Sequence, residues 1–368
     1  MKKLLLLFIL SLSLTANSQN IPLGAIEYVE DMKVVGGDIF VAGYTFKVDK
    51  PDGYSTKSLL NRYDKNLKLV WSLVINTTNK SEINKIEIIG NKIYALTTHG
   101  KNTNKTSETF LMLYIISLEG KILDQTNFGR SFTKPSNIIQ QGAKLHFSYS
   151  QPEGISYSDL GAVRPVLVEY DTTTKTFEKT ICALSVCYPE INVSHNSEVY
   201  SVGRYNGNAG SLGFEQVILK SKNGEPKGKI LHTNKSENIL NAYSTKNDIV
   251  ILSIFSGVYG DTIQYLKFTY YNSLTNTSKE KIILLSDYKW ANVSFTTYGD
   301  KETTWLKVDD VNSKQFYAQI TSDGTIISKL SLDEMKYCSN FIIKDNHQIQ
   351  EIDGDLKITR KKIISSKK

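Results

Sequence analysis

The side chains that could do chemistry in this chain are few and widely scattered. Its five histidines, His99, His146, His195, His232 and His347, show no His-x-x-x-His or His-x-His spacing, so a metal site would have to be assembled from distant segments. Asp49 stands beside the Pro-Asp-Gly turn that contains Asp52, and Asp309 and Asp310 stand as a pair. Neither has the spaced carboxylates and glycine of a calcium loop, and turn formation accounts for both. There is no glycine-rich phosphate loop, no Gly-x-Ser-x-Gly elbow and no obvious triad. Glu153, Asp159 and Asp309 could converge for glycoside cleavage, but any large fold of this kind offers such sets. No catalytic residue, metal or cofactor is assigned. What remains suits recognition: Tyr54, Tyr157, Tyr205 and Tyr259, with His99, Arg164 and Arg204, fall in or beside long polar segments. Tyrosine offers a flat apolar face and a hydroxyl at small entropic cost, which serves sugars, peptides and partner proteins alike.

Residues 1–18 read as an export signal. Lys2 and Lys3 precede an apolar run from Leu4 to Leu14 that is too short to span a bilayer, and Ala16-x-Ser18 fits cleavage before Gln19. No cysteine stands at that point to take a lipid, and no later apolar stretch is long enough to insert, so the expectation is an exported protein, periplasmic or extracellular. Export permits a disulfide between Cys182 and Cys187, a short ring worth about 2 kcal/mol; three thiols including Cys338 is the equal alternative. The formal charge of +7 includes two lysines of the signal and five basic residues from Arg360 to Lys368, so the body is near neutral. That excludes nucleic acid as a partner and leaves 363–368 as a basic tail.

The elements that must position these residues announce themselves by repetition. VVGGDIFVAGY, IIGNKIYALTT, IIQQGAKLHFSYS, VSHNSEVYSVG, YSTKNDIVILSI, TTYGDKETTWLKV and IIKDNHQIQEID place Ile39, Ile93, Leu145, Val199, Ile249, Thr303 and Ile349 at steps of 46 to 54 residues. Each unit parses into four strands, a to d. In the first these are Lys33–Val35, Ile39–Tyr44, Leu59–Tyr63 and Leu67–Ile75, with Gly, Asn and Asp in the a–b and c–d turns. Strand b is almost continuously apolar, as a strand covered on both faces must be. Seven such units predict an all-β chain, a single seven-bladed β-propeller over 19–362, with six or eight blades as alternatives because the last two units are the most degraded. The final unit supplies three strands. Leu23–Val29 would complete it and close the ring.

The repeat resembles the propeller repeats of secreted bacterial proteins, which read as a Gly-rich turn, "iyvaGyt", a variable loop and "lvkyd.nG...W". GGDIFVAGYT and LLNRYDKNLKLVWSL carry the resemblance, with VEYDTTTKTF and KSKNGEPKGKIL as looser matches. It implies the fold and an exported setting, and it transfers no functional residue. Trp71 after the c–d turn is also a feature of quinoprotein-like propellers, but it does not recur in later units.

In an antiparallel unit the b–c and d–a connections leave by one end. The b–c segments 45–57, 99–106, 151–162, 205–212 and 256–261 are the long ones, so they are expected to crowd one rim of the ring. The resulting expectation is a monomeric, non-enzymatic binding or scaffold protein that presents a protein or glycan site on that rim. A carbohydrate- or lactone-acting enzyme with its site at the channel mouth is the alternative, and a surface adhesion or motility component ranks below both.

Overall fold

A strand sandwiched between neighbouring sheets has to be apolar along its whole length, and Ile249–Phe255 is buried at every position. The computed structural model describes residues 21–22, 26–49, 53–75, 80–103, 106–152, 163–184, 186–206, 214–222, 225–231, 237–255, 264–294, 303–312, 314–331, 342–344, 347–352 and 355–360. The expected signal and the basic tail lie outside them. Among the described residues the chain is all-β apart from one short 3-10 turn at Leu285–Tyr288, and no helix is long and apolar enough to cross a membrane.

The strands form five four-stranded sheets and one eight-stranded sheet. The eight-stranded sheet is two meanders, 28–75 and 80–130, joined by a single parallel pairing of Thr56 with Lys80. With 139–181, 187–231, 238–284 and 290–331 these make six successive units, numbered here in chain order. The last sheet holds Ile342–Lys344, His347–Ile352 and Asp355–Arg360, and its fourth strand is Ile21–Pro22, with Ile21 opposite Ile358.

Strands in the first unit run longer than the sequence pattern suggests: Tyr28–Val35, Asp38–Asp49, Gly53–Tyr63 and Leu69–Ile75. This corrects the assignment of Leu23–Val29. Tyr28 and Val29 belong to strand a of the first unit, opposite Tyr44 and Gly43, because a bulge at Glu30 lets the ladder continue past the expected end. Tight a–b turns use the left-handed region as expected, Gly36-Gly37 at φ 61° and 91° and Asn196-Ser197 at 50° and 60°.

Apolar clusters fill the seams between successive sheets. Val250, Leu252 and Phe268 of the fifth unit pack on Trp290, Leu306 and Val308 of the sixth, each large side chain contributing about 1.5–3 kcal/mol by leaving water. Phe128, Phe147 and Tyr170 do the same between the second and third units. Like ends of the sheets meet. The short-turn ends touch through the Trp71 indole N–H to the Leu118 carbonyl (2.8 Å) and the Tyr270 hydroxyl to the Ser322 carbonyl (2.6 Å). The opposite ends touch through Lys134 and Glu30, and through Arg204 and Asn238. In the first five units the b–c ends therefore share one side.

Candidate functional site

Strand a carries a bulge at Glu30, Asn84, Glu190, Leu240 and Ala291 in five of the six units, always near the b–c end. A bulge re-aims the side chains around it and presses its backbone against the neighbouring strand. In the first unit the opposite residue is Gly43, where a Cβ would lie 1.9 Å from the Tyr28 carbonyl oxygen. In the fourth it is Gly203, whose Cβ would meet the Tyr188 carbonyl oxygen at 2.3 Å. Both glycines are required by close approach. The residues that follow them, Tyr44 and Arg204, emerge at the rim beside Glu30 and Glu190.

These positions grow into a band of aromatic and charged side chains. Tyr28 and Tyr44 stack with ring centroids 4.9 Å apart and planes 13° off parallel, and Phe46 meets Tyr28 edge-on at 6.5 Å. Tyr28 is 41% exposed, so this platform faces solvent. Burial, then the Glu82 carboxylate, pushes the Tyr44 phenol up to about 12, so it remains a hydrogen-bond donor at any physiological pH. Lys134, on the connection into the third unit, sets its ammonium 2.6 Å from Glu30 Oε1, 3.4 Å from Glu82 Oε2 and 5.6 Å from the Tyr44 ring centre. Phe132, two residues earlier, lies 6.3 Å from Tyr188, which meets Phe214 edge-on at 6.0 Å. The Arg204 guanidinium covers Phe214 at 5.1 Å, donates through Nε to Glu190, and sets Nη1 3.3 Å from Asn238 Oδ1. Burial raises the Glu190 carboxyl while Arg204 opposes that rise.

Beneath the rim, between the fourth and fifth units, lies a buried ion pair. Lys267 Nζ is 2.6 Å from Glu237 Oε2, and both side chains are 3% exposed. The same carboxylate accepts from Gln216 Nε2 (3.1 Å), Ser253 Oγ (3.0 Å) and the Tyr265 hydroxyl (3.0 Å). Glu237 immediately precedes Asn238, so this network anchors the strand that holds Arg204 in place. The Phe255 and Tyr265 rings stack at 5.1 Å beside it.

Of the residues expected at the site, Arg204 is central to the band. Tyr205 pairs with Cys187 and packs its ring against the cluster of Cys182, Cys187, Val217 and Leu219. Arg164 sits half-buried in strand c of the third unit, opposite Gln151. His99 is a correction: it is not on a rim loop but inside strand Lys92–Thr103, opposite Ser81 and Phe110 and 5% exposed. Burial lowers its pKa to about 4, leaving the ring neutral. Segments 45–57 and 99–106 are likewise long hairpins rather than loops, with 12-residue strands ending at Asp49 and Thr103. Tyr54 lies on the returning strand of the first, opposite Val48. Tyr157 and Tyr259 fall outside the described residues. Asp310 is the expected turn former, Oδ1 accepting the Asn312 and Lys314 amides at 2.8 Å. His195 is held by Ser244 Oγ at 2.8 Å. Among the described residues no group of three or more His, Cys, Asp or Glu is placed to hold a metal ion.

Sequence reasoning missed Tyr28, Tyr44, Lys134, Glu190 and Glu237. The usable signal was the repeat itself: Tyr44 and Arg204 follow glycines at equivalent strand-b positions. No spacing rule could have found Lys134 or Glu237, which act across sheets.

Cys182 and Cys187 are free thiols, both buried. Burial pushes Cys182 up to about 12 and raises Cys187 as well, so neither forms the nucleophilic thiolate. Iodoacetamide at pH 8 is expected to leave both unmodified in the native protein and to label them once urea unfolds it. Rapid native labelling, read by peptide mass spectrometry, would contradict the packing.

No family model matches the chain, and no curated protein matches it in sequence. Solved structures do match in shape. The β-propeller domain of the trilobed protease from Pyrococcus furiosus, described as having an open velcro topology, is similar with a TM-score of 0.55 at 11% identity, over 92% of this chain and 94% of that one. A chain of a mitotic checkpoint complex is similar with a TM-score of 0.51 at 11% identity, over 93% of both chains. At these identities the likeness speaks to architecture alone, and the architecture is that of a β-propeller.

Proposed function

We propose that this chain is an exported, non-enzymatic propeller of seven blades that binds a protein or glycan partner through its long b–c face. The pairing of Ile21–Pro22 with Asp355–Arg360 supports closure of the ring, since it adds a fourth strand to a sheet that otherwise has three. The observation that carries the functional reading is the solvent-facing Tyr28–Tyr44 platform, continued by Phe132, Tyr188, Phe214 and Arg204 into one aromatic band across four units. Tyrosine and arginine on a rigid scaffold are the residues that dominate recognition energy, because they bring large contact area at small ordering cost. Each cation in the band is already paired with a carboxylate, so the face is suited to stacking and hydrogen bonding rather than to charge-driven capture of polyanions. The purified protein is expected to retain particular members of an oligosaccharide and peptide array, and the Tyr28→Ala/Tyr44→Ala double variant to lose that retention at least tenfold while melting as the parent does. Equal retention by the double variant would move the site off this face.

A further inference from the structure

The seam between the third and fourth units carries a cluster of short polar side chains, Ser136, Ser148, Asn192 and Ser201, with Ser148 Oγ bonded to Ser136 Oγ (2.9 Å), Asn192 Oδ1 (3.0 Å) and Ser201 Oγ (2.7 Å). Asn192 and Ser201 of this cluster also line a cavity of about 420 Å³ that opens between the sheets towards the short-turn face. This volume is in the range of small-ligand sites.

The lining of this cavity is asymmetric in charge. Glu169 and Glu178 sit directly opposite each other on adjacent strands, an arrangement of like charges that is unfavourable by itself, and Glu198 faces them from the fourth unit. Lys144 pairs with Glu169 and also acts on Glu178, and Lys220 pairs with Glu198, so three carboxylates share two lysines. His146 does not supply the missing charge. It stands opposite Glu169 with Nδ1 3.8 Å from Oε2, beyond hydrogen-bond range, and burial lowers its pKa.

We propose that this cavity binds a small organic cation, its ammonium or guanidinium N–H groups donating to Glu169 and Glu178 and to the neutral His146 ring. A bare metal ion does not suit the spacing, since no three of these groups come together as ligands, whereas an alkyl-ammonium has several N–H donors and an apolar stem for Phe147 and Leu167. The site is at the opposite end of the sheets from the aromatic band, so it stands or falls independently of that reading.

Isothermal titration with n-butylammonium chloride, with glucose as the uncharged comparison, tests it. Butylammonium is expected to bind with a micromolar to millimolar Kd, glucose not at all, and Glu169→Gln/Glu178→Gln to weaken butylammonium at least tenfold with an unchanged melting curve. Butylammonium should also slow diethyl pyrocarbonate modification of His146, read by peptide mass spectrometry, which needs no variant. Binding of glucose but not the amine would overturn the charge assignment. Absence of amine binding, or binding with neither His146 protection nor sensitivity to the double variant, would overturn the site.

Discussion

Lys267→Met is expected to destabilise the protein by about 3–5 kcal/mol, the cost of leaving one partner of a buried ion pair uncompensated. The physical reason is specific to this position. Glu237 is 3% exposed, lies within the seam of two sheets and cannot turn to water when Lys267 is removed. Gln216, Ser253 and Tyr265 would still donate to it, and charge-assisted bonds of that kind offset part of the loss without removing the buried charge. The companion variant Glu237→Gln/Lys267→Met removes both charges and keeps an acceptor for the hydroxyls, so it should recover more than half of the lost stability. Urea titration checks both, the midpoint falling in the single variant with an unchanged slope. A single variant within 1 kcal/mol of the parent would mean that water reaches Glu237 and that the network is not the anchor of strand 238–244.

Gly43→Ala is expected to cost at least about 3 kcal/mol, at the upper end for overpacking, because the obstruction is backbone rather than a movable side chain. The added methyl would lie 1.9 Å from the Tyr28 carbonyl oxygen and about 3 Å from its carbon, so the edge of strand 28–35 must move outward. Tyr28 would leave the Tyr44 ring and the platform would open. Gly36→Ala is the informative comparison. Gly36, by contrast, has a positive φ, 61°, and open space around its missing Cβ, so only the left-handed backbone cost of about 1 kcal/mol applies. Thermal melts of the two variants separate the mechanisms. Equal destabilisation would show that conformation, not close approach, is what requires glycine in the GGDIFVAGYT segment.

Much of the architecture was legible because it rests on local rules repeated along the chain. The apolar runs at Ile39–Ala42 and Ile249–Ile254, together with turn residues such as Gly36-Gly37 and Asn196-Ser197, mark two-sided strands and tight hairpins wherever they occur. Strand ends were less legible. Polar, β-competent stretches such as Thr45–Asp49 and His99–Thr103 read as loops, yet they pair fully with antiparallel partners, Gly53–Lys57 and Thr106–Phe110. That difference moved His99 from the rim into a strand and turned two expected loops into hairpins.

The sequence by itself determined the all-β class, the repeat of about fifty residues and the turn chemistry, because all of these follow from neighbours within a few residues. Only the tertiary structure decided which side chains share a site. Lys134 meets Glu30 from more than a hundred positions away, Glu237 meets Gln216 across a seam, and Ser148 meets Ser201 across another. Contacts between sheets depend on how the units pack side by side, and no periodicity within one unit encodes that.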